Sequence, residues 1–393
     1  MSVAPTRLVN LDYAASTPLR PEAIEAMRAY DISEIAGANP NSLHTLGRRA
    51  AQALDAARRD IARSLGTGVR PAEVVFTNGG TEADALALFG IAEGARSRDH
   101  GRTRVITSAI EHEAILDNLA QLKRRGFTVD ILKPGTLGVI EPGTLDAAMG
   151  DDVALVSIMF ANNETGAVQP VGELAQIAHN HGAYFHTDAI QGYLHAPIDV
   201  SVLRVDALSL AGHKVGASVA SGALYLRRGV PFEPLIRGGG QEAGRRAGTQ
   251  DVRSALGLAA VARTLSPRLD EDHARVLSLS GRLYERLLES PRIHATLPDL
   301  VHTDRLPGIV SILVDGCESE ELILQLDVRG FCVSAGSACS SGSTDASHVL
   351  TAMGIPRERA AGSLRISFDD RVREQDLDAF ADALLDLTGG ARS

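Results

Sequence analysis

Short β-rich runs alternate with amphipathic helical stretches from about residue 70 to about residue 230 of this 393-residue chain. Helical patterns lie between several of these runs, at residues 82–95, 113–125 and 171–181. Such alternation predicts an α/β fold, in which helices cover both faces of a mostly parallel sheet. We predict a seven-stranded sheet, with strands at residues 73–77, 104–108, 128–132, 154–159, 183–187, 207–210 and 222–226.

The chain after about residue 251 has a different pattern. Two long helical stretches are followed by strand candidates at residues 309–314 and 330–333, which are interleaved with helices. A chain of this length exceeds the usual size of one compact domain. We therefore predict a large α/β domain, residues 15–258, and a smaller α+β domain formed by residues 1–14 together with 259–393.

The composition argues against several classes of protein. The chain has 49 acidic and 39 basic residues and a formal net charge of −10, without a basic block that would favour nucleic acid or an anionic membrane. No apolar run approaches the roughly 20 residues that span a bilayer, and residues 1–10 lack the apolar core of a signal peptide. The 3 cysteines form no disulfide framework and no Cys-x-x-Cys metal site. We expect a cytoplasmic protein without a metal.

Lysine is rare in this sequence, and one lysine has an unusual setting. The lysines are Lys123, Lys133 and Lys214. Lys123 lies in a Lys-Arg-Arg run and Lys133 precedes a proline, whereas Lys214 follows a predicted strand among glycine, alanine and valine. A partly desolvated lysine has a lowered pKa and can form a Schiff base with a carbonyl compound. If the chain has a catalytic lysine, we expect it to be Lys214.

A glycine turn, Thr-Asn-Gly-Gly-Thr-Glu at residues 77–82, lies between a predicted strand and a predicted helix. At the N-terminus of a helix, Gly80 and Thr81 would offer backbone N–H groups and a hydroxyl to a phosphate. A simple helix cap is the other interpretation. The sequence contains no dinucleotide-binding fingerprint and no P-loop, so nucleotide cofactors are less favoured.

Three further residues have settings that favour chemistry. Asp188 follows the strand predicted at residues 183–187, and such sheets bind ligands beyond the carboxyl ends of their strands; a cap for the next helix is the alternative. Cys339 lies in a loop of small residues, where a thiol is exposed and reactive more often than packed. Arg365 lies in an apolar run, where it needs a carboxylate from a substrate or from a structural salt bridge.

These motifs together resemble the cysteine desulfurases of the NifS/IscS type, in the class V aminotransferase group of enzymes that depend on pyridoxal 5′-phosphate (PLP). The resemblance covers nearly the whole chain and implies PLP-dependent transferase fold type I and a homodimer with shared active sites. It is carried by residues 11–18, 39–44, 81–82, 111–112, 162–166, 188–191, 212–214, 238–242, 246–249, 337–339 and 364–367.

The resemblance implies roles in catalysis. Lys214 would bind PLP as a Schiff base and then take the α-proton of the substrate, while His112 would stack on the pyridine ring and assist proton transfer. Arg365 would bind the carboxylate of L-cysteine. Cys339 would attack the substrate sulfur, which leaves L-alanine and a persulfide on the enzyme.

The resemblance also implies how the cofactor is held. Asp188 would pair with the pyridine nitrogen, and Gln191 and Asn163 would hydrogen-bond the phenolic oxygen or the substrate. A set of small and polar residues would bind the phosphate, the last of them reaching in from the other subunit: Gly80, Thr81, His213 and Thr249.

The predicted function is therefore transfer of sulfur from L-cysteine to an acceptor protein, in iron–sulfur cluster assembly or another thiolation pathway. One alternative is a PLP-dependent lyase on the same fold, such as a selenocysteine lyase or a β-eliminating C–S lyase. Another is an inactive homologue that binds partners, which the presence of the catalytic residues disfavours. One stretch departs from the family pattern: Ala-Ser-Val-Ala at residues 217–220 replaces the common Gly-Pro-Lys/Arg-Gly.

Overall fold

The computed structural model describes residues 7–336 and 346–389. Its strands are β1 (Val9–Asn10), β2 (Val74–Thr77), β3 (Arg104–Ser108), β4 (Thr128–Leu132), β5 (Val153–Ser157), β6 (Tyr184–Asp188), β7 (Ala207–Ala211), β8 (Gly222–Leu226), β9 (Ile293–Ala295), β10 (Ile309–Val314), β11 (Phe331–Cys332) and β12 (Ser363–Ser367). Its helices are α1 (Pro21–Asp31), α2 (Thr45–Ser64), α3 (Gly80–Arg98), α4 (Glu113–Leu116), α5 (Leu119–Arg124), α6 (Pro142–Ala148), α7 (Val171–Asn180), α8 (Val200–Leu203), α9 (Val252–Leu265), α10 (Leu269–Leu287), α11 (Ser319–Val328), α12 (His348–Ala352), α13 (Arg357–Ala360) and α14 (Glu374–Leu387).

The largest sheet has seven strands in the order β2-β8-β7-β6-β5-β3-β4. β8 is antiparallel to both of its neighbours, and the other pairs are parallel. Strands β5, β7 and β8 are buried at every position, which is typical of a sheet covered on both faces. The predicted α/β fold with a mostly parallel, seven-stranded sheet is therefore confirmed.

The C-terminal part contains a second sheet, of three antiparallel strands in the order β12-β10-β9. Its apolar core is formed by β10 and β12 with α10, α11 and α14, and it includes Leu11 from the N-terminal segment. β1 pairs in parallel with β11. The predicted domain boundary at residue 258 lies inside α9, which also contributes to the core beneath the large sheet. The division into two domains stays a prediction.

We predicted one helix over residues 113–125, and the structure has two, α4 and α5. Asp117 and Asn118 separate them. The side-chain amide of Asn118 donates to the carbonyl of Ala114 at 2.8 Å, and the Asn118 N–H turns to Ile115 instead. Because a side chain takes the carbonyl that a continuing helix would use, the helix is interrupted here. The prediction of a single helix was wrong.

The sheet topology positions the polar residues of the site. Asp188 ends β6, and the turn that contains Lys214 follows the neighbouring strand β7. The N-terminus of α3 follows β2, which lies beyond β8 in the same sheet. Residues from distant parts of the chain therefore meet at one edge of the sheet. Within residues 7–336 and 346–389, we find no helix with the length and apolar character needed to cross a membrane.

Candidate active site

A cavity of about 800 Å³ opens at this edge of the sheet. Nine residues that the sequence analysis selected line it: Gly80, Thr81, His112, Asn163, Asp188, Gln191, His213, Lys214 and Arg365. Thr249 is exposed and does not line the cavity of its own chain. Cys339 lies outside the residues that the structure describes.

Lys214 ends a short 3-10 turn, and both its backbone and its amine are held by neighbouring segments. Its carbonyl accepts hydrogen bonds from Thr17 Oγ1 at 2.8 Å and from His195 Nε2 at 2.9 Å. Its Nζ donates to the carbonyl oxygens of Ala14 at 2.6 Å and Ala15 at 2.9 Å. The sequence gives no signal for these last contacts, because every residue has a backbone carbonyl.

Asp188 is a buried carboxyl group, only 5% exposed, at the wall of the cavity. Its Oδ1 accepts the N–H of Ile190 at 2.9 Å. Burial raises the pKa of Asp188, and the Ile190 N–H and the charges of His112 and Lys214 offset this only in part. A cationic ligand group beside Asp188 would stabilise its ionised form. The side chain therefore suits a protonated ring nitrogen.

His112 presents its imidazole to the cavity from the N-cap position of α4. Its Nδ1 accepts the N–H of Ala114 at 3.0 Å, so the proton of the neutral ring is placed on Nε2. Nε2 lies 3.6 Å from a carboxylate oxygen of Glu113. A ring held in this way offers a flat face for stacking and a proton on a known atom.

The N-terminus of α3 lies close to the turn that follows Asp188. A side chain at Gly80 would place its Cβ 2.1 Å from Ile190 Cδ1, so any larger residue here would force the Ile190 side chain to move. The helix has 19 residues, and its first N–H groups, with the Thr81 hydroxyl, point a positive partial charge toward a ligand. Burial, followed by the charges of Lys214 and His112, lowers the pKa of His213 to about 4. His213 is therefore neutral at pH 7, and any contact with an anionic ligand would be a hydrogen bond and not an ion pair.

Arg365 is 2% exposed and already takes part in an ion pair. Its Nη2 lies 2.8 Å from Asp12 Oδ1, and its Nη1 donates to the carbonyl of Asn163 at 2.8 Å. The structural salt bridge that the sequence left open is thus formed. Nε, however, is buried and has no hydrogen-bond partner among the described residues. A buried unpaired donor is costly, so the Arg365 Nε–H is available to donate to a ligand carboxylate.

Sequence analysis missed a group of buried titratable residues near Asp188. Burial, with a smaller effect of Asp188, raises the pKa of Glu111 to about 8. Burial and then the charge of Asp188 also raise the pKa of Asp84, while burial lowers the pKa of His186 to about 3. The available signal was Asp84 itself, an acidic residue within an apolar helix. These groups favour their neutral forms beneath the cavity.

The comparisons with known proteins agree with this geometry. The family model for class V aminotransferases matches residues 9–380. The chain is 41% identical over 387 residues to the cysteine desulfurase IscS of Methanosarcina thermophila, and the alignment covers 98% of this chain and 93% of that relative.

Solved structures give the same result. A structure described as a NifS-like protein has a TM-score of 0.88 at 31% identity and covers 98% of this chain and 100% of its own. The structure of SspA in complex with cysteine has a TM-score of 0.79 at 32% identity and covers 91% of this chain and 98% of its own.

Proposed function

The chain belongs to the cysteine desulfurases of the class V aminotransferase family, and we propose that it converts L-cysteine to L-alanine and passes the sulfur, through Cys339, to an acceptor protein. One observation carries the proposal: a single cavity holds the Lys214 amine, the buried Asp188 carboxyl and the incompletely paired Arg365 guanidinium. An amino acid bound to a PLP ring needs these three groups.

The residues of the cavity fit the cofactor of this family. PLP has an aldehyde for an amine, a ring nitrogen for a carboxylate, an aromatic face and a phosphate. Lys214, Asp188 and His112 match the first three of these groups, and the start of α3 at Gly80 and Thr81 matches the phosphate. When bound, PLP delocalises the negative charge that develops as the substrate loses its α-proton.

The protein contributes positioning and proton transfer. Lys214 would hold the cofactor through Nζ and move the α-proton at the same atom. His112, whose Nδ1 accepts a backbone N–H, would offer its proton at Nε2. The Nε–H of Arg365 would bind the substrate carboxylate, with the side chain of Asn163 beside it. Charge-assisted hydrogen bonds of this kind orient a planar carboxylate.

Sulfur transfer would use Cys339. Its thiolate attacks the sulfur of the substrate, an S–S bond forms, and the C–S bond breaks with its electron pair left on carbon. The proton released from the thiol balances the one that carbon takes up. L-Cysteine and the Cys339 thiol thus become L-alanine and a Cys339 persulfide, which an acceptor thiol can then receive.

We further propose that the enzyme is a homodimer in the cytoplasm. Thr249 supports the dimer, because it is exposed and away from the cavity of its own chain; Thr249 of a second copy would complete the phosphate site. The scattered cysteines suit a reducing compartment. The acceptor is proposed to be a protein of iron–sulfur cluster assembly or of another thiolation pathway.

Two variants test the function. Purified protein with PLP should show an absorbance band in the near-ultraviolet to visible range, and Lys214→Ala should lose it while Lys123→Ala, at an exposed position, keeps it. Cys339→Ser should keep the band but form neither persulfide nor alanine from cysteine. Absence of the band in the unaltered protein would refute the cofactor assignment. Alanine formation by Cys339→Ser at the normal rate would refute the persulfide step, and pyruvate with sulfide would instead identify a β-eliminating lyase.

A further inference from the structure

Arg20 is a buried arginine that the proposed reaction does not use. It is 3% exposed and directly precedes α1. Each of its three guanidinium nitrogens has a hydrogen-bond partner. Burying a guanidinium is costly unless its partners are well placed. The contacts of Arg20 lie on two sides of the active site.

One side is the turn that contains Lys214. The backbone N–H of Arg20 donates to the carbonyl of Gly216 at 2.8 Å, and its Nε donates to the carbonyl of Val215 at 3.1 Å. Gly216 has a φ of +83°, and a Cβ there would lie 2.7 Å from Arg20 Cγ. Arg20 therefore packs directly against the two residues that follow Lys214.

The other side is the end of β12, the strand that contains Arg365. Arg20 Nη2 donates to Asp369 Oδ2 at 2.9 Å, and Nη1 donates to Asp370 Oδ2 at 3.2 Å. Asp369 and Asp370 lie two and three residues after Ser367, the last residue of β12. The planar side chain of Arg20 therefore joins the turn that contains Lys214 to the segment that follows β12, the strand that contains Arg365.

The arginines around Asp370 keep its carboxyl group ionised. Arg371 Nη2 lies 2.7 Å from Asp369, and Arg268 Nη2 lies 3.4 Å from Asp370. Burial acts to raise the pKa of Asp370, but Arg20, Arg268 and Arg371 outweigh it and lower that pKa. Because the pKa of Asp370 is lowered, its carboxylate is charged at neutral pH, and loss of the Arg20 guanidinium would remove its most buried cationic partner.

Residues 12–20, which we call the N-terminal brace, contact the same two parts of the site along their length. Asp12 pairs with Arg365, and the carbonyls of Ala14 and Ala15 bind Lys214 Nζ. At the last position of the brace, Arg20 contacts both the turn after Lys214 and the carboxylates after β12. The brace therefore lies across the cavity between its amine end and its carboxylate end.

We propose that Arg20 is a positioning residue that fixes the distance between Lys214 and Arg365. An amino acid in this cavity presents its amino group toward the lysine end and its carboxylate to Arg365, so this distance decides whether both ends bind at once. The inference rests on the proposed function for the identity of the ligand. Misplacement of reacting groups by about 1 Å can cost roughly 100-fold in rate.

The test replaces Arg20 by lysine. Lysine keeps the positive charge but lacks the planar guanidinium, whose nitrogens bind the Val215 carbonyl on one side and Asp369 and Asp370 on the other. Arg28→Lys, at an exposed position of α1, is the matched control. The ligands are L-alanine, which has a carboxylate, and ethylamine, which is the same molecule without it. Their dissociation constants are measured on the PLP-loaded enzyme from the change in its absorbance spectrum, and thermal unfolding is recorded for each variant.

We expect Arg20→Lys to weaken L-alanine binding by about tenfold or more and to leave ethylamine binding unchanged. The KM for L-cysteine should rise more than kcat falls. The Arg28→Lys control should match the unaltered enzyme in every measurement. A merely structural role would affect both ligands alike, and that result, or no change with either ligand, would overturn the proposal.

Asp370→Asn covers the case in which Arg20→Lys does not fold. It removes one charge from a half-buried carboxylate and leaves Arg20 in place. We expect the same selective loss of L-alanine binding, with a smaller size, and an unselective or absent effect would again overturn the proposal. Failure of the proposed function has a different signature, because the unaltered protein would then show no PLP band or would not form alanine from cysteine.

Discussion

Arg365 and Asp12, 353 residues apart in the chain, form an ion pair of 2.8 Å at the edge of the cavity. This pair joins the strand that contains the proposed carboxylate-binding residue to the N-terminal brace, which also binds the amine of Lys214. Asp12 is itself a carboxylate, so it occupies part of the guanidinium that a substrate carboxylate would use.

We expect Asp12→Asn to lower the KM for L-cysteine, because an amide competes for Arg365 less strongly than a carboxylate. Arg365→Lys should raise this KM by about tenfold or more, since an ammonium cannot offer parallel N–H groups to a carboxylate. Steady-state kinetics at one fixed pH measure both values. If Asp12→Asn raised the KM as strongly as Arg365→Lys, Asp12 would be an orienting partner and not a competitor.

Thr81→Val tests the phosphate site. The change replaces a hydroxyl by a methyl group of similar size at an exposed position, so folding should be unaffected. Loss of a hydrogen bond to a charged group costs about 1.5–3 kcal/mol, which corresponds to roughly tenfold or more in the dissociation constant for PLP. Equilibrium dialysis against PLP measures it, with Thr128→Val, at an exposed position of β4, as the control. Equal PLP affinities of the two variants would exclude a contact between Thr81 and the phosphate.

Glu111 should make the cofactor-free protein less stable as the pH rises. Its pKa is raised from 4.5 to about 8 when folded, chiefly by burial. Between these values the folded state binds more protons than the unfolded state, so the stability present below the lower pKa is lost as the pH rises toward the upper one. The free energy of unfolding of Glu111→Gln, relative to that of the parent protein, should therefore increase by up to about 1.4 kcal/mol for each pH unit in this window.

Urea unfolding at several pH values between about 5 and 8 measures this difference. Glu285→Gln, on the exposed face of α10, is the control for the replacement of a carboxylate by an amide. A Glu111→Gln difference that stays constant or shrinks as the pH rises would mean that Glu111 is ionised in the folded protein.

Ala220→Gly should stabilise the protein. Ala220 has a φ of +58°, a left-handed conformation that costs a non-glycine residue about 1–2 kcal/mol. The greater freedom of glycine in the unfolded chain offsets part of this gain, which leaves about 0.5–1 kcal/mol. Denaturant unfolding measures the change. Ala217→Gly, at a buried position of the same loop, should destabilise, and a loss of stability in both variants would contradict the strain at Ala220.

The sequence predicted the large sheet well because its signal is local. Runs of apolar residues bounded by turn residues indicate strands whatever their partners are, and the strand at residues 104–108 was predicted with the bounds of β3. The break between α4 and α5 was missed because it depends on one side-chain bond, from Asn118 to the Ala114 carbonyl. Helical periodicity continues across such a bond, so the pattern alone does not reveal it.

The sequence alone was enough to select the candidate residues Lys214, Asp188 and Gly80, because a rare lysine, an acid after a strand and a glycine turn are local features of the chain. Only the tertiary structure decided what these residues contact. The Asp12–Arg365 pair, the carbonyls that bind Lys214 and the junction at Arg20 each join segments that are distant in the chain. Such contacts, and the burial that shifts the pKa of Asp188 and Glu111, depend on the folded path of the backbone and the water it excludes.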